Sequence, residues 1–185
     1  MKIGLVVGHS RLGDQGAYSS GEYVLSEWDF NRDLVRRVAS PLKGEVDFVI
    51  YDQFPVKSYS AAIKYLANKL DEDGVDAAIE FHFNSASPQA SGHEWLYWHT
   101  SKKGSKLAYL LRDEMAEAYP DLPSRGAKPR VAKQRGSGML RGVRPPIVIA
   151  EPFFGSNVDE WRMINNNRGR LAGVYARAIK KYAEG

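Results

Sequence analysis

Short apolar runs alternate with longer amphipathic stretches along the chain. Five runs of strand length lie at residues 1–8, 46–51, 75–83, 94–99 and 146–150. Helices are predicted at residues 26–40, 59–70 and 105–119, with a last helix from about residue 157 onward. This alternation favours an α/β fold with a mostly parallel, twisted sheet and helices on both faces.

Local signals define some boundaries of these elements. Ser26 can cap the first helix, Asp29 can close a capping box, and Pro41 ends the helix. Residues 120–145 are rich in glycine, proline, arginine and lysine and lack clear periodicity, so we expect a long functional loop there rather than a domain linker. The sequence contains no repeat and no low-complexity tract, and we expect one domain over residues 1–185.

The amino-acid composition limits the cofactors and partners that the protein can have. The 185 residues are 43% hydrophobic, which is enough for one substantial core. The chain has no cysteine, so disulfides, iron–sulfur clusters and thiolate zinc sites are excluded, and any metal must be held by nitrogen and oxygen ligands. The net charge of +4 suits an anionic partner such as a polymer surface. No basic run is long enough to suggest a nucleic-acid arm, and no nucleic acid is expected as a partner.

The first eight residues carry one positive charge and an apolar stretch that is too short for the core of a signal peptide. No segment approaches the roughly 20 apolar residues needed to cross a bilayer. We therefore expect a protein made in the cytoplasm without a signal peptide and without stable membrane insertion.

Two histidines stand where apolar runs give way to small polar residues. His9 follows the first run and His82 lies at the end of the third. Because the carboxyl ends of parallel strands meet at one edge of a sheet, both imidazoles can converge there on one metal ion. A carboxylate would complete the ligand set. Glu27, in the first turn of a capped helix, is preferred, and Glu22 in the preceding loop is the alternative.

Two further histidines and one further carboxylate bear on this site. His93 and His99 could replace the preferred pair, but polar surface positions are the simpler interpretation. Glu151 directly follows the apolar run 146–150, at the same predicted edge. A glutamate there can take a proton from water and pass it to a departing amine, as an amide hydrolase requires. The pattern indicates a zinc hydrolase.

These positions together resemble the zinc-dependent N-acetylmuramoyl-L-alanine amidases of the type 3 family, which includes bacterial wall-remodelling enzymes and phage endolysins. The similar segments are residues 8–9, 13–17, 27–31, 81–85, 92–97, 125–128 and 148–157. The resemblance implies one zinc ion bound by His9, Glu27 and His82, with Glu151 as the catalytic acid and base. The implied reaction cleaves the amide between N-acetylmuramic acid and L-alanine in peptidoglycan.

The resemblance also sets expectations about the protein's setting. A single catalytic domain without a separate cell-wall-binding domain is similar to a phage endolysin, which degrades the wall and lyses the bacterium. Such an enzyme would act on the wall, in the periplasm or outside, after release from the cytoplasm. We expect a monomer whose partner is peptidoglycan.

Several polar and aromatic residues remain as lesser candidates. Asn84 is a candidate substrate-binding residue, although an asparagine at a strand end also commonly satisfies a turn. Arg135 and Arg141 could pair with carboxylates of the stem peptide, but loop arginines are usually solvated, and both stay outside the predicted site. Trp98 could stack on a sugar, with core packing as the simpler interpretation.

Two other functions fit the same residues. A zinc peptidase cutting within the stem peptide would use the same ligands on a different amide. A non-catalytic wall-binding module would use the aromatic residues and the positive charge alone, and its function would survive metal chelation.

Overall fold

A computed structural model describes residues 1–11, 13–55 and 58–185. Six strands form one sheet: β1 Lys2–Val7, β2 Asp47–Tyr51, β3 Ala77–Phe81, β4 His93–Trp98, β5 Ser124–Arg130 and β6 Ile147–Glu151. The helices are α1 Glu27–Ala39, α2 Tyr59–Glu72, α3 Lys102–Ala118, α4 Ser137–Gly142, α5 Val158–Asn165 and α6 Arg168–Glu184, with a short 3₁₀ turn at Ser40–Leu42. The chain is a single α/β domain, as the sequence pattern predicts.

The strands are arranged in the order β2-β1-β3-β6-β4-β5. The first four run parallel to one another, whereas β4 pairs antiparallel with β6 and parallel with β5. The sheet is therefore mixed, and the start of β4 lies at the same edge as the ends of β1, β3 and β6. That reversal places Glu94 directly opposite Glu151 in the sheet register.

Helices cover both faces of the sheet, and each face has its own core. The larger core joins α1, α3, α5 and α6 to strand residues such as Leu5, Ile79 and Trp95. The smaller core joins α2 and α4 to the alternate residues, such as Val6 and Leu96. Because successive side chains of a strand point to opposite faces, this alternation decides which polar residues share a face at the strand ends.

The predicted helix boundaries hold well at α1. The Ser26 hydroxyl accepts a hydrogen bond from the Asp29 backbone N–H at 3.1 Å and lies 2.7 Å from the Asp29 carboxylate. Pro41 lies in the 3₁₀ turn that follows the helix. The helix buries Phe30, Leu34 and Val38, which lie on one side at helical spacing.

The segment 120–145 differs from the predicted long loop because it contains β5 and α4. β5 is an edge strand of small, charged and proline residues, so it shows no apolar alternation. α4 is a short helix whose glycines Gly138 and Gly142 allow close contact with Ile63 of α2. Its position depends on this tertiary packing, which has no periodic signal in the sequence.

The predicted last helix is two helices. Asn167 separates them, and its side chain accepts a hydrogen bond from the Arg170 backbone N–H at the start of α6. Among the described residues, no helix is both long and apolar enough to cross a bilayer.

Candidate active site

Four strand ends bring acidic and imidazole side chains to one edge of the sheet. Glu80 and His82 are two residues apart on β3 and its extension, so both point to the face covered by α2 and α4. Glu151 at the end of β6 and Glu94 near the start of β4 point to the same face. The sequence pattern thus places these four side chains around one point above the sheet.

Three of the predicted residues meet there. One ligand atom from each of His9, Glu27 and His82 lies within 4.8 Å of the others. His82 Nδ1 is 2.8 Å from Glu27 Oε1, and His9 Nε2 is 3.2 Å from Glu27 Oε2. Glu27 is the first residue of α1, and two backbone N–H groups from outside this helix also hold its carboxylate. Phe83 donates to Oε1 at 3.0 Å and Ala17 donates to Oε2 at 3.1 Å. The carboxylate is therefore fixed between the two imidazoles.

The backbone around His9 is shaped for this convergence. His9 has φ 67°, in the left-handed region that non-glycine residues rarely occupy. A Cβ on Gly8 would overlap the His82 imidazole, and a Cβ on Gly16 would overlap both Glu27 and His9. The glycines on either side of His9 thus let backbone and imidazoles approach closely.

Two further carboxylates face the ring nitrogens that do not contact Glu27. Asp14 Oδ2 lies 3.3 Å from His9 Nδ1, and Glu80 Oε1 lies 3.4 Å from His82 Nε2. Histidines that bind metals commonly donate the N–H of the other ring nitrogen to a carboxylate, which fixes the tautomer and the ring orientation. Both imidazoles therefore have the surroundings of metal ligands. Glu80 was not predicted, although its two-residue spacing from His82 places it on the same face.

The electrostatics of the cluster reflect its dense packing. Burial would raise the pKa of Glu27, but hydrogen bonds from His82 and His9 lower it to about 2. Burial would lower the pKa of His9, but the hydrogen bond and charge of Glu27 raise it above its ordinary value. Burial also opposes the charged form of His82, yet Glu80 and Glu27 raise its pKa well above 6.5. The carboxylates of the site therefore stabilise positive charge on the two imidazoles.

The donor set fits a divalent metal ion. Two imidazole nitrogens and one carboxylate are the ligands of open catalytic zinc sites, which leave a coordination position for water or substrate. His9, Glu27 and His82 could hold such an ion, with Asp14 and Glu80 accepting the remaining ring N–H groups.

Glu151 lies beside this group and is almost fully buried. Burial raises the pKa of its carboxyl to about 7, although the positive charges of His82 and Arg135 act in the opposite direction. Oε1 accepts a hydrogen bond from Arg135 at 2.9 Å, whereas Oε2 has no hydrogen-bond partner among the described residues. A carboxyl with a pKa near neutral is suited to proton transfer.

Asn84 contacts a network next to Glu151 that the sequence did not predict. Its amide donates to Glu94 Oε1 at 3.0 Å, and its carbonyl oxygen accepts from Arg135 at 3.2 Å. Burial would raise the pKa of Glu94, but hydrogen bonds from Lys128 and Asn84 lower it to about 2. Asn84 therefore lies at the site, with its amide engaged by protein groups.

The alternative ligands lie elsewhere. Glu22 is exposed, and its backbone carbonyl accepts from the Trp161 indole. His93 is fully buried on the face of the sheet that carries the larger core, and it accepts a hydrogen bond from Trp95. The expected surface position of His93 is therefore wrong. His99 is exposed beyond the far end of β4. Among the described residues, His9, Glu27 and His82 are the group that can share an ion.

A cavity of about 680 Å³ opens over the candidate ligands. Its walls include His9, Glu27, His82 and Glu151, and the segment around Arg135 forms its far side. This volume is in the range of sites that take small-molecule or peptide-sized groups.

A family model described as N-acetylmuramoyl-L-alanine amidase matches residues 3–181. The chain belongs to this family. A comparison with curated protein sequences gave no match.

Several solved structures share the fold of this chain. The catalytic domain of CwlV, an amidase of Bacillus (Paenibacillus) polymyxa var. colistinus, is 22% identical with a TM-score of 0.81, over 100% of this chain and 99% of that chain. The catalytic domain of the CD27L endolysin, which targets Clostridia difficile, is 26% identical with a TM-score of 0.78, over 98% and 97%. AmiC2 of Nostoc punctiforme is 23% identical with a TM-score of 0.80, over 100% and 98%. The match in each case extends over nearly the whole of both chains.

Proposed function

We propose that this family member is a zinc-dependent hydrolase that cleaves the amide between N-acetylmuramic acid and L-alanine in peptidoglycan. The observation that carries the proposal is the convergence of His9, Glu27 and His82 beside the buried carboxyl of Glu151. Membership of the amidase family supports the choice of bond. The proposed zinc ligands are His9, Glu27 and His82, and the proposed catalytic acid and base is Glu151.

A bound zinc ion would supply Lewis-acid polarisation and a nucleophilic water at neutral pH. The protein's own contribution is proton transfer at Glu151. The Glu151 carboxyl, whose Oε1 accepts a hydrogen bond from Arg135, takes the proton of the attacking water. The same carboxyl then donates this proton to the nitrogen of the departing L-alanine. A pKa of about 7 serves both steps, because the carboxyl can be charged or neutral at the working pH.

We further propose an endolysin role for this enzyme. The CD27L catalytic domain, itself part of an endolysin, aligns over almost the whole chain. In this proposal the protein works on the cell wall as a monomeric catalytic domain with peptidoglycan as its partner. The net charge of +4 would favour contact with an anionic wall, and this contact would weaken as salt increases.

Mass analysis of digested peptidoglycan tests the proposed reaction. The amidase should release intact stem peptides with a free N-terminal L-alanine and leave glycan strands without peptides. Cleavage inside the stem peptide would identify a peptidase instead. Binding to the wall that persists in a chelator, with no cleavage products when zinc is restored, would identify a binding module.

A further inference from the structure

The segment between β5 and α4 crosses the candidate site. It leaves the far edge of the sheet at Arg130 and returns over the face that carries Glu151. Its path is fixed by its own backbone, since Lys133 and Gly136 have φ 72° and φ 77° and the Gln134 side chain accepts from the Val131 N–H at 3.0 Å. This path places the side chain of Arg135 over the active-site cavity.

The Arg135 guanidinium contacts three polar groups at once. It donates to Glu151 Oε1 at 2.9 Å, to Glu94 Oε1 at 3.1 Å and to Asn84 Oδ1 at 3.2 Å. The arginine side chain is 56% exposed, whereas those of Glu94 and Glu151 are only 7% and 6% exposed. Arg135 is thus the solvent-facing end of a buried acidic network.

Glu94 keeps other partners without Arg135. Lys128 Nζ donates to its Oε2 at 2.6 Å, Asn84 donates to its Oε1, and Arg125 lies 3.5 Å from Oε2. Removal of Arg135 therefore leaves the Glu94 carboxylate paired and hydrogen-bonded. The guanidinium can exchange partners without leaving a buried charge alone at Glu94.

The exchange partner must be an anion that reaches the cavity with the substrate. A guanidinium presents parallel N–H groups that match a carboxylate better than any other peptide group. In a muramoyl peptide the scissile amide joins the muramic acid to L-alanine. Consecutive α-carbons are about 3.8 Å apart, so a carboxylate on the next residue lies only one residue away from this amide. Arg135 lies next to the proposed acid and base, because its guanidinium donates to Glu151 Oε1 at 2.9 Å.

Resting on the proposed function, we propose that Arg135 selects substrates with a free carboxylate on the second residue of the stem peptide. The substrate carboxylate replaces Glu151 as the partner of the guanidinium. This exchange frees Oε1 of Glu151 from the guanidinium, so that the carboxyl can transfer the proton. Binding of the correct substrate and release of the acid and base are thereby coupled in one exchange.

The test uses two soluble muramoyl peptides that differ only at this group. One carries a free carboxylate on the residue after L-alanine, and the other carries the corresponding carboxamide. The zinc-loaded protein should cleave the carboxylate form with a kcat/KM at least about tenfold higher, as expected for a hydrogen-bonded charged pair. Equal kcat/KM for both substrates would overturn the inference. Failure to cleave either would refute the proposed function itself, and this inference with it.

Variants of Arg135 distinguish a role in substrate recognition from a structural role in the site. Arg135→Gln should lose the preference by slowing the carboxylate form and changing the carboxamide form much less, while metal content stays unchanged. Arg135→Lys keeps the charge without the paired N–H groups and should retain part of the preference. Arg141 lies on α4 and lines a different cavity. The control variant Arg141→Gln should therefore behave as the unmodified protein. An equal loss for both substrates in Arg135→Gln would show a structural role and contradict recognition.

Discussion

We expect His93 to make the folding stability of this protein depend on pH. The imidazole is fully buried, and its Nδ1 accepts a hydrogen bond from the Trp95 indole at 2.9 Å. An indole N–H can only donate, so Nδ1 must stay unprotonated for this contact to persist. Burial lowers the pKa of His93 to about 4, and the positive charge of Arg112 acts in the same direction.

The size of the effect follows from proton linkage. In the unfolded chain the imidazole binds a proton below about pH 6.5, whereas in the folded protein it stays neutral down to about pH 4. Its contribution to stability is therefore present above pH 6.5 and is lost as the pH falls toward 4. Between about pH 7.5 and about pH 5 the loss amounts to about 2 kcal/mol.

Urea unfolding of the metal-free protein at both pH values measures this loss. Other groups also titrate, so the informative quantity is the difference between the unmodified protein and His93→Asn, which cannot take the proton and keeps an acceptor for Trp95. The variant should lose about 2 kcal/mol less on acidification. His99→Asn, which replaces an exposed imidazole just beyond the same strand, serves as the control and should behave as the unmodified protein. Equal pH dependence in all three proteins would refute the reasoning.

Three further substitutions test the candidate site. Glu151→Gln should keep zinc and folding but lower kcat by about 10²- to 10⁴-fold, and undiminished turnover would remove its proton-transfer role. His82→Ala should reduce the zinc content of the purified protein, and an unchanged stoichiometry would discredit this ligand. Gly8→Ala should also reduce zinc content, because the added Cβ overlaps the His82 imidazole. Gly169→Ala, where the added Cβ meets only a side-chain oxygen at 3.8 Å, should bind zinc normally.

The sequence predicted the candidate ligands because their positions depend on local order. His9 and His82 end parallel strands, and the cap at Ser26 fixes the direction of Glu27, so strand polarity and helix start are enough to bring them together. The amidase resemblance selected the same three residues. Glu80 was within reach of the same reasoning, since a residue two positions before His82 must share its face.

Other features depend on contacts that no local pattern encodes. The antiparallel direction of β4 is set by the connection of residues 82–92 at one sheet edge, and it is this reversal that brings Glu94 to Glu151. Arg135 reaches the site only because the chain after β5 turns back over the sheet. Its sequence context, a basic and glycine-rich segment, is the same as that of a solvated arginine.

The composition of β5 has a consequence for self-association. An outermost strand exposes unpaired backbone groups that can template the addition of another chain, and natural proteins block this with charged residues and proline. β5 carries Arg125, Lys128 and Arg130 together with Pro129. Two such strands would repel each other, and the proline withholds one N–H from any ladder. The addition of a strand from another molecule is thereby disfavoured at the β5 end of the sheet.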